Sequence, residues 1–168
     1  MNHVILIGFM GCGKSSVGKA LADALHEPFV DTDVLIEEQE GRKISDIFRE
    51  SGEEYFRELE TLVLRQLLRS EERQIIAVGG GLPVRPVNQK YLKQLGTVVY
   101  LMAQPDTLAA RLEGDDTRPM LQGGELKRRI RELMDAREEI YDGLADVRVV
   151  TDGKDFAEIV KEIARYAG

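Results

Sequence analysis

Gly8-Phe9-Met10-Gly11-Cys12-Gly13-Lys14-Ser15 matches G-x-x-x-x-G-K-[ST] at every fixed position. A β-rich apolar run precedes it and a helical pattern follows, which is the context the motif requires. Glycines let backbone N–H groups converge on phosphates without obstruction, and the next helix offers its positive end to the anion. Lys14 has the reach for the β- and γ-phosphates, and the Ser15 hydroxyl suits Mg²⁺. The motif therefore predicts a nucleoside triphosphate site built from Gly11, Cys12, Gly13, Lys14, Ser15 and Ser16. Cys12 has no histidine beside it in the sequence, so it reads as a small residue filling the loop and not as a nucleophile.

A phosphate loop says little about the acceptor, which in such proteins sits beyond the carboxyl ends of the strands. The second apolar run ends in Asp31-Thr32-Asp33, and the third ends in Val78-Gly79-Gly80-Gly81 with no acidic residue. With the third position empty, Asp31 is the natural carboxylate to support a metal through a water, unless it caps the following helix. Asp33 points the same way if strand geometry persists, and it could accept a proton from an attacking hydroxyl. The glycines at 79–81 are either a loose turn or a place where amides approach a bound molecule closely.

Several arginines complete the candidates. Arg137 falls on the same stripe as Leu126, Ile130, Leu133 and Ile140. A charge on that face needs an anionic partner, a cleft, or a stem that packs while its head reaches water. Arg57 follows a Ser51/Glu54 capping box that predicts a helix starting at Ser51. Pattern alone leaves Arg57 as a surface partner of Glu53 or Glu60. Arg118 lies in a glycine-rich segment, 113–124, with the composition of a mobile lid. From there an arginine could swing onto the transferring phosphates. Arg111 is a weaker candidate for the nucleotide side.

Five short apolar runs must position these residues: 3–7, 28–30, 74–78, 97–101 and 147–150, with amphipathic stretches between them. That alternation predicts an α/β fold, a five-stranded parallel sheet with helices on both faces. A chain of 168 residues fits one domain, and 43% hydrophobic with 32% charged residues is a globular balance. The net charge of -7 argues against a nucleic acid partner. The single cysteine precludes an intrachain disulfide and fits a reducing compartment. The first apolar run reads as a strand and not as a signal peptide, and nothing approaches the ~18 apolar residues of a membrane span. A cytoplasmic monomer is the simplest expectation.

Taken in order, these elements resemble the shikimate kinase family over essentially the whole length. The match comprises 8–15, Asp31-Thr32-Asp33, Ile47-Phe48, Gly52-Glu53, Phe56-Arg57 with Glu60, the glycines at 79–81, Arg118-Pro119, and Arg137 with Tyr141. The resemblance implies a fold of the nucleoside-monophosphate-kinase type with a closing lid. It implies ATP as co-substrate, with Mg²⁺ on Ser15 and indirectly on Asp31. Asp33 would bind the ring hydroxyls of shikimate and help deprotonate one. Arg57 and Arg137 would hold its carboxylate, with the amides around Gly79, Gly80 and Gly81 lining the same pocket, while Lys14 and Arg118 stabilise the phosphoryl group. The product would be shikimate 3-phosphate, on the route to aromatic amino acids. Departures are small: Cys12 stands where alanine or serine is usual, Ser16 where threonine is common, and Met120 where leucine is usual. An adenine contact is expected near Asp152-Gly153-Lys154. A gluconate or nucleoside monophosphate kinase of the same fold, or a non-catalytic ATP-binding regulatory module, are the alternatives.

Overall fold

The computed structural model describes residues 2–8, 13–103 and 126–167. The expected lid at 113–124 lies outside them. Among the described residues, five strands run in the order β1 (His3–Ile7), β2 (Phe29–Asp31), β3 (Ile75–Ala77), β4 (Gly96–Met102) and β5 (Val147–Val150). The helices are α1 (Lys14–Leu25), α2 (Thr32–Glu40), α3 (Ile44–Ser51), α4 (Glu53–Leu68), α5 (Pro86–Leu95), α6 (Leu126–Leu144) and α7 (Phe156–Ala167). A 3-10 turn at Leu82–Val84 precedes α5.

All strand pairs are parallel, and the spatial order is β2-β3-β1-β4-β5. The expected five-stranded parallel sheet is present, with strand ends shifted by a residue or so. β1 is central and wholly buried, which is why it reads as an unbroken apolar run. Its side chains alternate between two cores. Val4 and Leu6 join Val17 and Leu21 of α1 and Ile159 and Ile163 of α7. Ile5 and Ile7 join Ile36, Ile47, Phe56, Leu64, Leu92 and Tyr141 from α2 to α6. Each fully buried Leu or Ile contributes about 1.5–3 kcal/mol, so either face alone is a substantial anchor for the sheet. None of the described helices is long and apolar enough to cross a membrane.

β1 lies between β3 and β4, so successive crossovers leave it on opposite sides and open a crevice at the strands' carboxyl ends. Gly13 ahead of α1, Asp31 at the end of β2 with Asp33 just after it, and Gly79 and Gly80 after β3 meet there.

Two local expectations fail. Ser51 ends α3 and does not begin α4; Gly52, at φ 88°, joins the two helices and is the N-cap without a side-chain cap. The capping-box pattern is local and is blind to the helix already running into it. The Ser51 hydroxyl instead accepts from Arg42 Nη2 at 2.9 Å. Strand geometry also stops at Asp31, and Asp33 is the second residue of α2. The two aspartates therefore reach a common cavity by different backbone geometries.

Candidate active site

The nucleotide end begins with Gly13, in the left-handed region at φ 91°, whose carbonyl accepts from Val17 N at 2.8 Å. It opens α1 with no side-chain cap and no acidic residue in the first turn. The first amides of a 12-residue helix, those of Lys14, Ser15 and Ser16, thus lack a competing side-chain acceptor at the cap. Lys14 Nζ donates to the Gly8 carbonyl at 2.7 Å, across the loop. The expected contacts of Gly11, Cys12, Arg111 and Arg118 lie outside the described residues.

Asp31 has two tasks, one per oxygen. Oδ1 accepts from the N–H groups of Asp33 at 2.9 Å and Val34 at 3.4 Å, so the capping reading holds. Oδ2 accepts from Ser15 Oγ at 2.5 Å. A hydroxyl beside one carboxylate suits Mg²⁺, which keeps waters and takes phosphate oxygens and rarely occupies a cage made wholly of protein. Among the described residues no group of three His, Cys, Asp or Glu offers such a cage.

A cavity of 540 Å³ brings Gly13, Lys14, Ser15 and Ser16 together with Asp31, Asp33, Gly79 and Gly80. Lys43, Ile44 and Ser45 form part of its wall. Gly79 and Gly81 are there for space. A Cβ on Gly79 would lie 2.8 Å from Asp33 Oδ1 and 3.1 Å from Glu60 Oε2, and one on Gly81 would lie 2.6 Å from Arg57 Nη1 and Nη2. Side chains crowd this backbone, so the loose-turn reading is wrong. The Gly79 N–H donates to Thr32 Oγ1 at 3.2 Å, and the Gly80 carbonyl accepts from the Tyr141 hydroxyl.

Arg57 and Arg137 do not line that cavity, but both are inside the protein. The Arg57 side chain is 16% exposed. It donates to Glu60 Oε1 at 2.7 Å and to Glu53 Oε1 at 3.3 Å. The ion-pair reading holds, with one partner buried instead of on the surface. Arg137 is only 7% exposed, on α6. Glu60, 1% exposed, lies close enough to feel Arg57, Asp33 and Arg137. Burial pushes its carboxyl up to about 7; Arg57 and Arg137 oppose the rise, and Asp33 adds to it. Its Oε2 takes no hydrogen bond among the described residues.

Sequence reasoning missed Glu60 as part of the site. The signal was present, since Glu60 occupies the buried face of α4 with Phe56, Val63, Leu64 and Leu67. A carboxylate on an apolar stripe needs a partner or a cleft just as the Arg137 guanidinium does. Buried Asn88 was also missed: it donates to the Leu82 carbonyl at 3.0 Å and accepts from Thr61 Oγ1 at 2.8 Å, tying α4 to the turn after the glycines.

A family model described as shikimate kinase matches residues 10–167. The shikimate kinase of Persephonella marina is 45% identical over 163 residues, covering 97% of each chain. The shikimate kinase of Acinetobacter baumannii, solved in complex with shikimate, superposes with a TM-score of 0.94 at 33% identity, over 99% of this chain and 92% of that one. A gluconokinase from Sinorhizobium meliloti shares the fold alone, with a TM-score of 0.58 and 19% identity over 99% of this chain and 93% of that one. A family match across nearly all of the sequence, with a relative 45% identical over 97% of both chains, shows that the chain belongs to the shikimate kinase family.

Proposed function

We propose that this shikimate kinase family member carries out ATP-dependent phosphorylation of the 3-hydroxyl of shikimate with the residues named above in distinct roles. The α1 amides and Lys14 hold the phosphates, with Arg111 and Arg118 adding positive charge on the nucleotide side. Asp33 binds the acceptor hydroxyl and takes its proton as the new O–P bond forms and the bond to ADP breaks. Arg57, Arg137 and the amides of Gly80 and Gly81 hold the acceptor carboxylate, with Gly79 lining the same pocket. Ser15, and Asp31 through a water, are the residues to hold Mg²⁺, which when bound neutralises charge on the phosphate oxygens.

One observation carries this assignment: Asp33 and the α1 N-terminus share a single cavity, so donor phosphate and acceptor hydroxyl have adjoining places. Arg57, whose guanidinium meets Gly81, and Arg137, 7% exposed and near Glu60, support it further, because a guanidinium fork suits a carboxylate ligand. In this reading the 168 residues act as one domain with a lid near 113–124, and a monomer suffices in a reducing cytoplasm.

The test is ADP release, coupled to a spectrophotometric readout, with shikimate, gluconate and nucleoside monophosphates as acceptors. Turnover is expected with shikimate. Turnover with gluconate or AMP but not shikimate would overturn the assignment, and nucleotide binding without any phosphorylated product would point to a regulatory module.

A further inference from the structure

Every carbonyl in the turn after β3, from Gly79 to Leu82, has a donor. The Gly79 carbonyl accepts from Leu82 N at 3.1 Å, and the Gly81 carbonyl from Val84 N at 3.2 Å. Asn88 holds the Leu82 carbonyl, and Thr32 takes the Gly79 N–H. The Gly80 carbonyl has a different kind of partner. Its donor is the Tyr141 hydroxyl, 61 residues away in sequence, on α6. Among the described residues the N–H groups of Gly80 and Gly81 have no partner in the protein.

The Gly80 carbonyl and the Gly81 N–H belong to one trans peptide plane and point in opposite directions. Holding the oxygen toward the Tyr141 hydroxyl therefore aims the Gly81 N–H away from that hydroxyl. A glycine stands on each side of that plane, so rotation about it is less hindered than for any other residue pair. The restraint must come from elsewhere, and Tyr141 is rigid enough to supply it. Its residue exposure is 1%, and its ring meets Tyr100 edge-on at 5.4 Å between centroids. Tyr141 also stands four residues after Arg137, one helical turn along the same face.

We propose that Tyr141 is a positioning residue for the acid acceptor. Its O–H holds the Gly80–Gly81 peptide so that the Gly81 N–H remains a donor to the bound carboxylate. The same bond keeps Arg137 in register with that donor. This rests on the reading that Arg57, Arg137 and the glycine turn form the acceptor site. A buried tyrosine that merely satisfied its own hydroxyl would affect stability and nothing else.

Tyr141→Phe keeps the ring and removes the bond. The acceptor KM is expected to rise about 3- to 10-fold, the size of one lost hydrogen bond, with kcat and the ATP KM within about twofold. A lower melting temperature with an unchanged acceptor KM would overturn the proposal. Calorimetric titration of shikimate into Arg137→Ala, run alongside, separates the two readings. Unchanged affinity in Arg137→Ala defeats the acceptor-site assignment; a loss there without one in Tyr141→Phe defeats the tyrosine alone. Should Tyr141→Phe not fold, the wild type still decides. The Gly81 amide resonance is expected to move downfield on adding shikimate, and an unmoved resonance overturns the proposal.

Discussion

Gly13, at the end of the turn after β1, has φ 91°, and a Cβ added there would meet nothing nearer than Val17 Cγ2 at 4.0 Å. Gly81, in the turn after β3, has an ordinary φ of -89°, yet a Cβ there would lie 2.6 Å from both terminal nitrogens of Arg57. The first position needs glycine for its backbone conformation, the second for its missing volume. Gly13 and the first turn of α1 offer backbone amides to an anion through local geometry alone. The turn after β3 depends on side chains brought from α2, α4, α5 and α6. On the proposed reading, nucleotide binding is a local property of this chain, and acceptor binding a tertiary one.

Asp33 tests that division most severely, because it packs against Gly79 while lining the cavity shared with α1. Asp33→Asn preserves the shape and removes only the charge. It is expected to lower kcat by ~10²–10⁴ while the ATP KM stays within about twofold. A variant that keeps most of its kcat would remove Asp33 as the proton acceptor.

The two glycines should then fail in different ways. Gly13→Ala forces a side chain into the left-handed region, at a cost of about 1–2 kcal/mol. Its melting temperature should fall and its ATP KM rise, measured by calorimetric scanning and initial rates. Gly81→Ala meets only the far end of a flexible side chain, which moves aside. Its melting temperature should stay near that of the wild type. The acceptor KM should nevertheless rise about tenfold, as one charge-assisted contact is displaced. If Gly81→Ala were as unstable as Gly13→Ala, the distinction between shape and space would be lost.

The same division explains what could be read from the residues alone. The phosphate loop is a contiguous motif, and β1 is an apolar run; both were legible because local rules suffice for them. Arg137 was legible as a charge on an apolar stripe. Glu60 obeyed the same rule, but its spacing from Arg57 admitted a surface ion pair, and that reading concealed its burial. Whether 79–81 was a loose turn depended on Asp33, Arg57 and Glu60 converging there, and no local pattern reports such convergence. The capping box at Ser51 misled for the complementary reason, since the turn before it was already helical. The place assigned to Arg118 rests on the resemblance and the composition of 113–124, and that of Arg111 on its position just before that segment.

The smallest expected effect concerns Glu60, which makes the acceptor end sensitive to pH where the nucleotide end has no equivalent buried carboxylate among the described residues. Its carboxyl is held near 7, above its ordinary 4.5, chiefly by burial. A group raised in this way adds stability in full below about 4.5, and the contribution is lost as pH rises through about 7. Ionised Glu60 also offsets the positive charge of Arg57 and Arg137, the groups proposed to hold an anionic acceptor. A bound carboxylate should raise Glu60 further, so binding near neutrality should take up a fraction of a proton. The acceptor KM is therefore expected to rise about two- to fivefold from about pH 6 to about pH 8, less than the tenfold per unit that full coupling to one proton would give. Glu60→Gln cannot ionise and should flatten that profile while leaving the ATP KM profile as it was. A wild-type acceptor KM that stays constant across the window would mean that the proton on Glu60 does not sense the ligand, and that the guanidinium groups hold the acid without competition from this carboxylate.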